Sequence, residues 1–182
     1  MQIESAGWTQ FDLNTDFCTH LKAQLMENKK NNLFNPAGIA DTSADSLIRS
    51  DMTCWMDHKS QIPIEKKLLS ELQYLLVQLK NYFRISLTDI ELHYAIYPEG
   101  HFYKLHTDQK KVNNERHFSF VIYLNENWTE DLQGHLCAYK KNDVLFKILP
   151  TAGKMMLFKS DITHEVLPCF EDRYSVTGWL KS

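Results

Sequence analysis

His106, Thr107 and Asp108 close a strand-like run, and their spacing is the first in this chain that could do chemistry. Residues i and i+2 of a strand face the same way, so the His106 imidazole and the Asp108 carboxylate meet on one side. A His-x-Asp tripeptide is common by chance and carries little alone. It gains weight from His164, which stands in another strand-like run, Ile162-Thr163-His164-Glu165-Val166. It gains more from Arg173, which opens Arg173-Tyr174-Ser175 on a third. Two neutral imidazoles and one carboxylate occupy one face of an Fe(II) octahedron and leave the other positions open. The open face can take a 2-oxo acid as a bidentate ligand, and then O2. Chelation leaves a distal carboxylate inside the protein, where the planar guanidinium of Arg173 matches it with two parallel hydrogen bonds. Ligation needs neutral histidines, so metal binding should weaken in acid.

The elements that must position these residues are helical first and β later. Asn14 or Thr15 caps a helix carrying Phe17, Leu21, Leu25 and Met26 at three- and four-residue spacing. Residues 30–46, rich in Asn, Asp, Ala and Ser, read as a long loop. The stretch 36–50 is expected to be a mobile lid beside the site, with Arg49 and Asp51 forming an exposed ion pair that pins it. Thr53 to Met56 reads as a short strand. Pro63 opens a second helix with an apolar stripe at Ile64, Leu68, Leu72, Leu75, Leu76 and Leu79, read as core packing. From Ile90 the period becomes two. Strands are predicted at 90–97, 101–107, 117–124, 134–139, 144–149, 154–158, 163–167 and 174–180, separated by polar turns. Many short strands after helices exclude an alternating βαβ fold. The expected class is mainly β with N-terminal helices (α+β): a double-stranded β-helix, or jelly-roll barrel, braced by helices. One domain is expected over 1–182, with helical support and lid in 1–88 and the jelly-roll core with the metal site in 89–182.

The composition narrows the partners. The 182 residues carry a net charge of −3 and no long basic run, so nucleic acid is not expected. No apolar run approaches the roughly 20 residues of a membrane span. Cys18, Cys54, Cys137 and Cys169 are far apart. With no secretory signal ahead of them, reduced thiols in a cytoplasmic protein are expected.

The chain resembles the prolyl 4-hydroxylase branch of the 2-oxoglutarate/Fe(II) dioxygenases, especially the hypoxia-response-type enzymes and their bacterial relatives. The resemblance runs from about Pro36 to the C-terminus. It rests on Arg49-Ser50-Asp51 with Trp55, on Tyr97-Pro98 followed by Tyr103 and His106-Thr107-Asp108, and on Ile122-Tyr123-Leu124-Asn125. It continues through Gly134-His135-Leu136, His164-Glu165-Val166 with Pro168, and Arg173-Tyr174-Ser175 to Trp179. It implies that His106, Asp108 and His164 bind iron, and that Arg173, helped by Tyr123, holds the distal carboxylate of 2-oxoglutarate. Tyr97 would line the pocket and Trp179 would form a wall; Thr177 and His93 complete the expected co-substrate contacts. The implied cofactors are Fe(II), 2-oxoglutarate and O2, with ascorbate as reductant. The implied reaction hydroxylates an unactivated C–H with release of succinate and CO2, and the implied partner is a protein carrying a target proline.

Two positions depart from the family. Gly134-His135 replaces its usual Gly-Gly, which touches an outer strand and no ligand. His93 is polar where the hypoxia-type enzymes are apolar; it could read substrate or co-substrate, or simply be hydrogen-bonded inside the barrel. His20, His58, His101, His117 and His135 lack partners at ligand spacing, and Cys169 reads as a buried thiol. The rival functions are a hydroxylase of a free amino acid or other small molecule, a nucleic-acid demethylase and a non-catalytic jelly-roll sensor. A demethylase would carry a second Arg shortly after Arg173, which Val176-Thr177-Gly178-Trp179 does not supply. A sensor would be free to lose a ligand or the Arg, and all four residues are kept.

Overall fold

The computed structural model describes residues 2–38, 48–109, 115–141 and 143–182. The stretch expected as a lid therefore lies outside the described residues over 39–47. Short helix α1 (Gln2–Ala6) and strand β1 (Trp8–Asp12) come first. Helix α2 (Thr15–Lys30) starts where the Asn14 side chain accepts from the Phe17 amide at 3.2 Å, as the capping residue predicts. Strands β2 (Asn35–Pro36) and β3 (Met52–Trp55) follow. Helix α3 (Pro63–Phe83) has Pro63 in its first turn, where the missing N–H costs nothing, and ends on Arg84 in the left-handed region. All eight strands expected after Ile90 are present: β4 (Asp89–Tyr97), β5 (Tyr103–His106), β6 (Arg116–Tyr123), β7 (Leu136–Lys140), β8 (Asp143–Ile148), β9 (Lys154–Lys159), β10 (Thr163–Val166) and β11 (Arg173–Lys181).

The strands build two antiparallel sheets. The larger runs β1-β9-β6-β11-β4-β3-β2 and the smaller β5-β10-β7-β8, the layout of a double-stranded β-helix. Alternation divides the large sheet into two faces. Leu92, Tyr94 and Ile96 of β4, Phe120 and Ile122 of β6, and Val176 and Leu180 of β11 pack under Leu21 and Leu25 of α2 and Leu68, Leu72, Leu76 and Leu79 of α3. The opposite face, with Ala95, Tyr97, Val121, Tyr123, Met156 and Phe158, meets Leu136, Ala138 and Val166 of the small sheet. The helices thus brace one side of the large sheet, and the space between the sheets is left for a site. Two expectations are corrected here. Met26 is exposed, because a helix packed on a flat sheet buries only a narrow stripe. Arg49 and Asp51 form a buried pair, argued below. Among the described residues no helix is long and apolar enough to cross a membrane.

Gly178 is required by close approach. It pairs with Leu92 on β4 and Phe120 on β6, and a Cβ there would stand 2.5 Å from the Glu91 carbonyl oxygen and 2.7 Å from the Leu92 Cβ. Backbone cannot give way as a side chain can. Gly178→Ala is expected to destabilise the protein by roughly 1–3 kcal/mol, the cost of an overpacked core. Thermal denaturation should show a midpoint several degrees lower, and an unchanged midpoint would contradict this packing.

Candidate active site

The pairing of β5 with β10 sets His164 opposite His106. Asp108, just past the end of β5, is held by its backbone N–H on the Ser160 carbonyl. The three ligand atoms lie within 4.8 Å of one another, and no other such group occurs among the described residues. His106 Nε2 is 3.7 Å from one Asp108 oxygen and His164 Nε2 is 3.5 Å from the other. Both Nδ1 atoms face backbone carbonyls, His106 toward Lys104 at 2.7 Å and His164 toward Ile162 at 2.9 Å. A carbonyl accepts only from N–H, so each ring carries a proton on Nδ1 and turns Nε2 to the centre, the nitrogen that bears the lone pair in the neutral ring.

Surrounding groups fix this arrangement. The Ser119 hydroxyl donates to Asp108 at 2.7 Å and lies 2.9 Å from the Ser160 hydroxyl. Tyr103 stacks on His106 with ring centroids 3.5 Å apart, and the Arg49 guanidinium lies over Tyr103 at 4.5 Å. Arg49 grips Asp51 through two hydrogen bonds of 2.8 and 2.6 Å, and the Asp51 side chain is fully buried. The pair expected at the surface is therefore an internal one, shielded by Tyr103 and positioned to support the site.

Burial alone would raise the Asp108 pKa; His164, His106, Ser119 and Trp179 outweigh it and hold the carboxyl below its usual value. Burial, reinforced by His164, brings His106 down to about 4 despite Asp108. A neutral imidazole and an ionised carboxylate are the forms a metal needs.

Arg173 is buried at the opposite end of the same cavity, which has a volume of about 470 Å³. Its Nε donates to the Gly134 carbonyl at 3.0 Å, and its guanidinium lies 4.9 Å from the Tyr97 ring centroid and 5.4 Å from that of Tyr123. Among the described residues no carboxylate pairs with it. The Tyr123 hydroxyl is buried without a hydrogen-bond partner. A buried cation beside an unsatisfied hydroxyl is incomplete without an anion, and the distal carboxylate of a 2-oxo acid completes it. With two imidazole nitrogens and a carboxylate at the other end, the residues fit Fe(II) and 2-oxoglutarate.

Tyr97, Thr177, Trp179 and His93 all line this cavity. Tyr123 is not among the residues that line it and reaches the site only through its ring contact with the Arg173 guanidinium. His93 is buried between Trp55 and Trp179, ring centroids 4.7 and 5.5 Å away. Among the described residues its Nδ1 has no hydrogen-bond partner, so the reading of a histidine hydrogen-bonded inside the barrel is not met at that atom. Burial pushes its pKa from 6.5 down to about 4. Between those values the unfolded chain binds the proton and the folded chain does not, so stability is full above about pH 6.5 and falls as pH drops toward 4. At about 1.4 kcal/mol per unit this amounts to roughly 3.5 kcal/mol at most. The metal-free His93→Leu variant should show a flatter decline of melting temperature over that range than the wild type; parallel curves would contradict a neutral buried ring.

The remaining histidines stay outside the triad. His101 faces the Ser50 carbonyl, His135 pairs with Glu130, and His58 approaches Asp89. The Cys169 thiol sits against the Tyr97 and Pro98 carbonyls, and burial raises its pKa, which leaves it inert. The sequence reading missed Ser119 and Ser160. A lone hydroxyl on the inward face of Phe118-Ser119-Phe120-Val121 was the available signal for the first.

The family model of the 2OG-Fe(II) oxygenase superfamily matches residues 92–181, which include every residue of the triad, Arg173 and Tyr123. The structure superposes on a Pseudomonas putida prolyl-4-hydroxylase with a TM-score of 0.91 and 30% identity, covering 100% of this chain and 96% of that one. A Trichoplax adhaerens prolyl hydroxylase, solved with a hypoxia inducible factor oxygen degradation domain peptide fragment, gives 0.90 and 26%, covering 99% and 86%. A Phytophthora capsici prolyl 4-hydroxylase gives 0.79 and 23%, covering 100% and 60%, and speaks for the fold. No curated protein matches the chain in sequence. With a relative 30% identical over nearly its full length, this chain belongs to the prolyl 4-hydroxylase branch of the 2OG-Fe(II) oxygenase superfamily and is a 2-oxoglutarate-dependent dioxygenase.

Proposed function

We propose that the enzyme hydroxylates a prolyl residue within a polypeptide, 2-oxoglutarate leaving as succinate and CO2. His106, Asp108 and His164 would hold Fe(II), and Arg173 with Tyr123 would hold the distal carboxylate of the co-substrate. So bound, iron, 2-oxoglutarate and O2 supply the oxidising chemistry that turns an unactivated C–H into C–OH. The chain orients and excludes. Arg173 fixes one end of the co-substrate, Ser119 and Tyr103 steady two of the ligands, and Phe158, Val121 and Leu136 keep the cavity wall apolar.

The observation that carries the polypeptide reading is the pairing of charges around the cavity. Arg49 is taken by Asp51, and Arg116 by Glu91 at 3.0 Å. Arg173 is the one lining cation without a carboxylate among the described residues, and the co-substrate uses it. A free amino acid brings an ammonium and a carboxylate, and each needs a desolvated partner. A prolyl residue inside a chain brings only neutral amides. Similarity to the two prolyl hydroxylases, one solved with a peptide fragment, supports the same substrate class.

The test is to incubate the Fe(II)-loaded enzyme with 2-oxoglutarate, O2, ascorbate as reductant and a cell proteome, and to follow succinate release and oxygen incorporation by peptide mass spectrometry. Added oxygen on specific prolines supports the proposal. Equal succinate release with and without every peptide, alongside hydroxylation of free proline, would overturn it.

A further inference from the structure

Two ring nitrogens in residues that line the cavity are buried without a hydrogen-bond partner among the described residues, Trp179 Nε1 and His93 Nδ1, and of the two rings only the imidazole can either donate or accept. His93 on β4 lies level with Trp55 on β3 and Thr177 on β11. Trp55 is 57% exposed and marks the open side, whereas Arg173 and Tyr97 mark the inner end two steps further along the same strands. His93 therefore stands on the wall that an incoming chain passes, not beside the carboxylate cradle. It is 2% exposed, lines the cavity, and has an unpartnered Nδ1. A buried nitrogen without a partner inside the protein is satisfied by an ordered water or by a group that enters the cavity.

We infer that His93 is a specificity-determining residue that donates a hydrogen bond to a main-chain carbonyl of the substrate, next to the prolyl ring. The inference rests on the prolyl-peptide reading. A prolyl residue has no side-chain polar atom and no amide N–H. The polar atoms nearest its ring are its own carbonyl and that of the preceding residue, both acceptors. A neutral imidazole has one N–H to offer them. Burial, with Arg49 and Arg116, outweighs Asp51 and Asp108 and keeps the ring neutral, which unsuits it to a substrate carboxylate and suits it to an amide. Trp55 and Trp179 both pack against it at tilted angles, and together they limit how far the ring can turn. A purely space-filling ring between Trp55 and Trp179 would serve as well if it were methionine, and that contrast makes the assignment testable.

The experiment measures binding without turnover. Wild type, His93→Met and His93→Gln, each loaded with Fe(II) and 2-oxoglutarate in the absence of O2, are titrated with a peptide library blocked at both ends and carrying a central proline. His93→Met is expected to weaken binding about tenfold, the worth of one neutral hydrogen bond, with His93→Gln recovering part through its amide N–H. A second library, with the amide before the proline replaced by a trans-alkene isostere that removes the carbonyl and adds no charge, should bind wild type as weakly as His93→Met binds the first, and should lose little more on His93→Met. The two-library comparison in wild type alone decides the matter if a variant fails to fold. Equal binding of the first library by wild type and His93→Met overturns the inference, as does a shift in 2-oxoglutarate affinity as large as the shift in peptide affinity. If a central-alanine library binds wild type as well as the proline library, the prolyl reading falls, and the His93 comparison is then made on that library.

Discussion

Asp108→Ala should abolish turnover and lower Fe(II) affinity by more than about 100-fold, because changes in the groups that merely support metal ligands already cost about 10–100-fold. The expectation follows from where the charge lies. His164 and His106 stand first among the neighbours that hold the Asp108 carboxyl below its usual pKa, and both turn Nε2 toward it. Among the described residues the carboxylate is the sole negative charge of the ligand group, and two imidazoles alone leave a divalent ion's charge uncompensated in a buried site. Ser119→Ala provides the graded comparison. It removes one hydrogen bond to Asp108 and should fall within about 10–100-fold. Melting temperature with and without Fe(II) reads both. A ligand present at about 100 times its Kd stabilises by about 2.7 kcal/mol, so the wild type should gain several degrees and Asp108→Ala almost none. A metal-induced shift of wild-type size in Asp108→Ala would refute the assignment of the triad.

The triad was legible because each part of its geometry is local. His106 and Asp108 share one face of one strand by the period of two, and His164 lies in its own alternating run. Pairing of β10 with β5 then places His164 opposite His106, a juxtaposition that needed the topology. Arg173 was read from its own strand-like run and Tyr97 from the family resemblance, and the fold makes them register partners on β11 and β4. What stayed hidden depends on tertiary neighbours. Ser119 on β6 and Ser160 just past β9 meet although they stand 41 positions apart in sequence. Tyr103 and His106 are three apart, which in a regular strand puts them on opposite faces, yet they stack. The register of β5 with β10 shifts there, and the irregularity turns Tyr103 to the same side. Strand β1 gave no periodic signal because only its pairing with β9 makes Trp8–Asp12 a strand, with most of the segment exposed. Burial of Asp51 was invisible for a related reason. Sequence spacing pairs it with Arg49, and only the cover of Tyr103 removes the pair from water.

Arg173→Ala should raise the 2-oxoglutarate requirement steeply. A carboxylate carried into a water-poor cavity and left without its cation costs roughly 2–5 kcal/mol, which is roughly 30-fold to several thousand-fold in affinity. Arg173→Lys should recover only part, since a single ammonium cannot supply the two parallel N–H groups of a guanidinium. The structure adds a second, opposite expectation. Before the co-substrate arrives Arg173 is 1% exposed, and it has the Gly134 carbonyl and the faces of Tyr97 and Tyr123 for company but no carboxylate among the described residues. A buried, uncompensated charge is held at the expense of stability, and replacing such groups by apolar side chains of similar size is often neutral or stabilising. Arg173→Met should therefore leave the ligand-free melting temperature at or above that of the wild type while removing the rise that 2-oxoglutarate produces. The two measurements separate a residue kept for binding from one kept for the fold. Wild-type affinity for 2-oxoglutarate in Arg173→Ala would refute the binding role. A large fall in the ligand-free melting temperature of Arg173→Met would show instead that the guanidinium holds β11 against the Gly134 turn, with the co-substrate anchored elsewhere in the cavity.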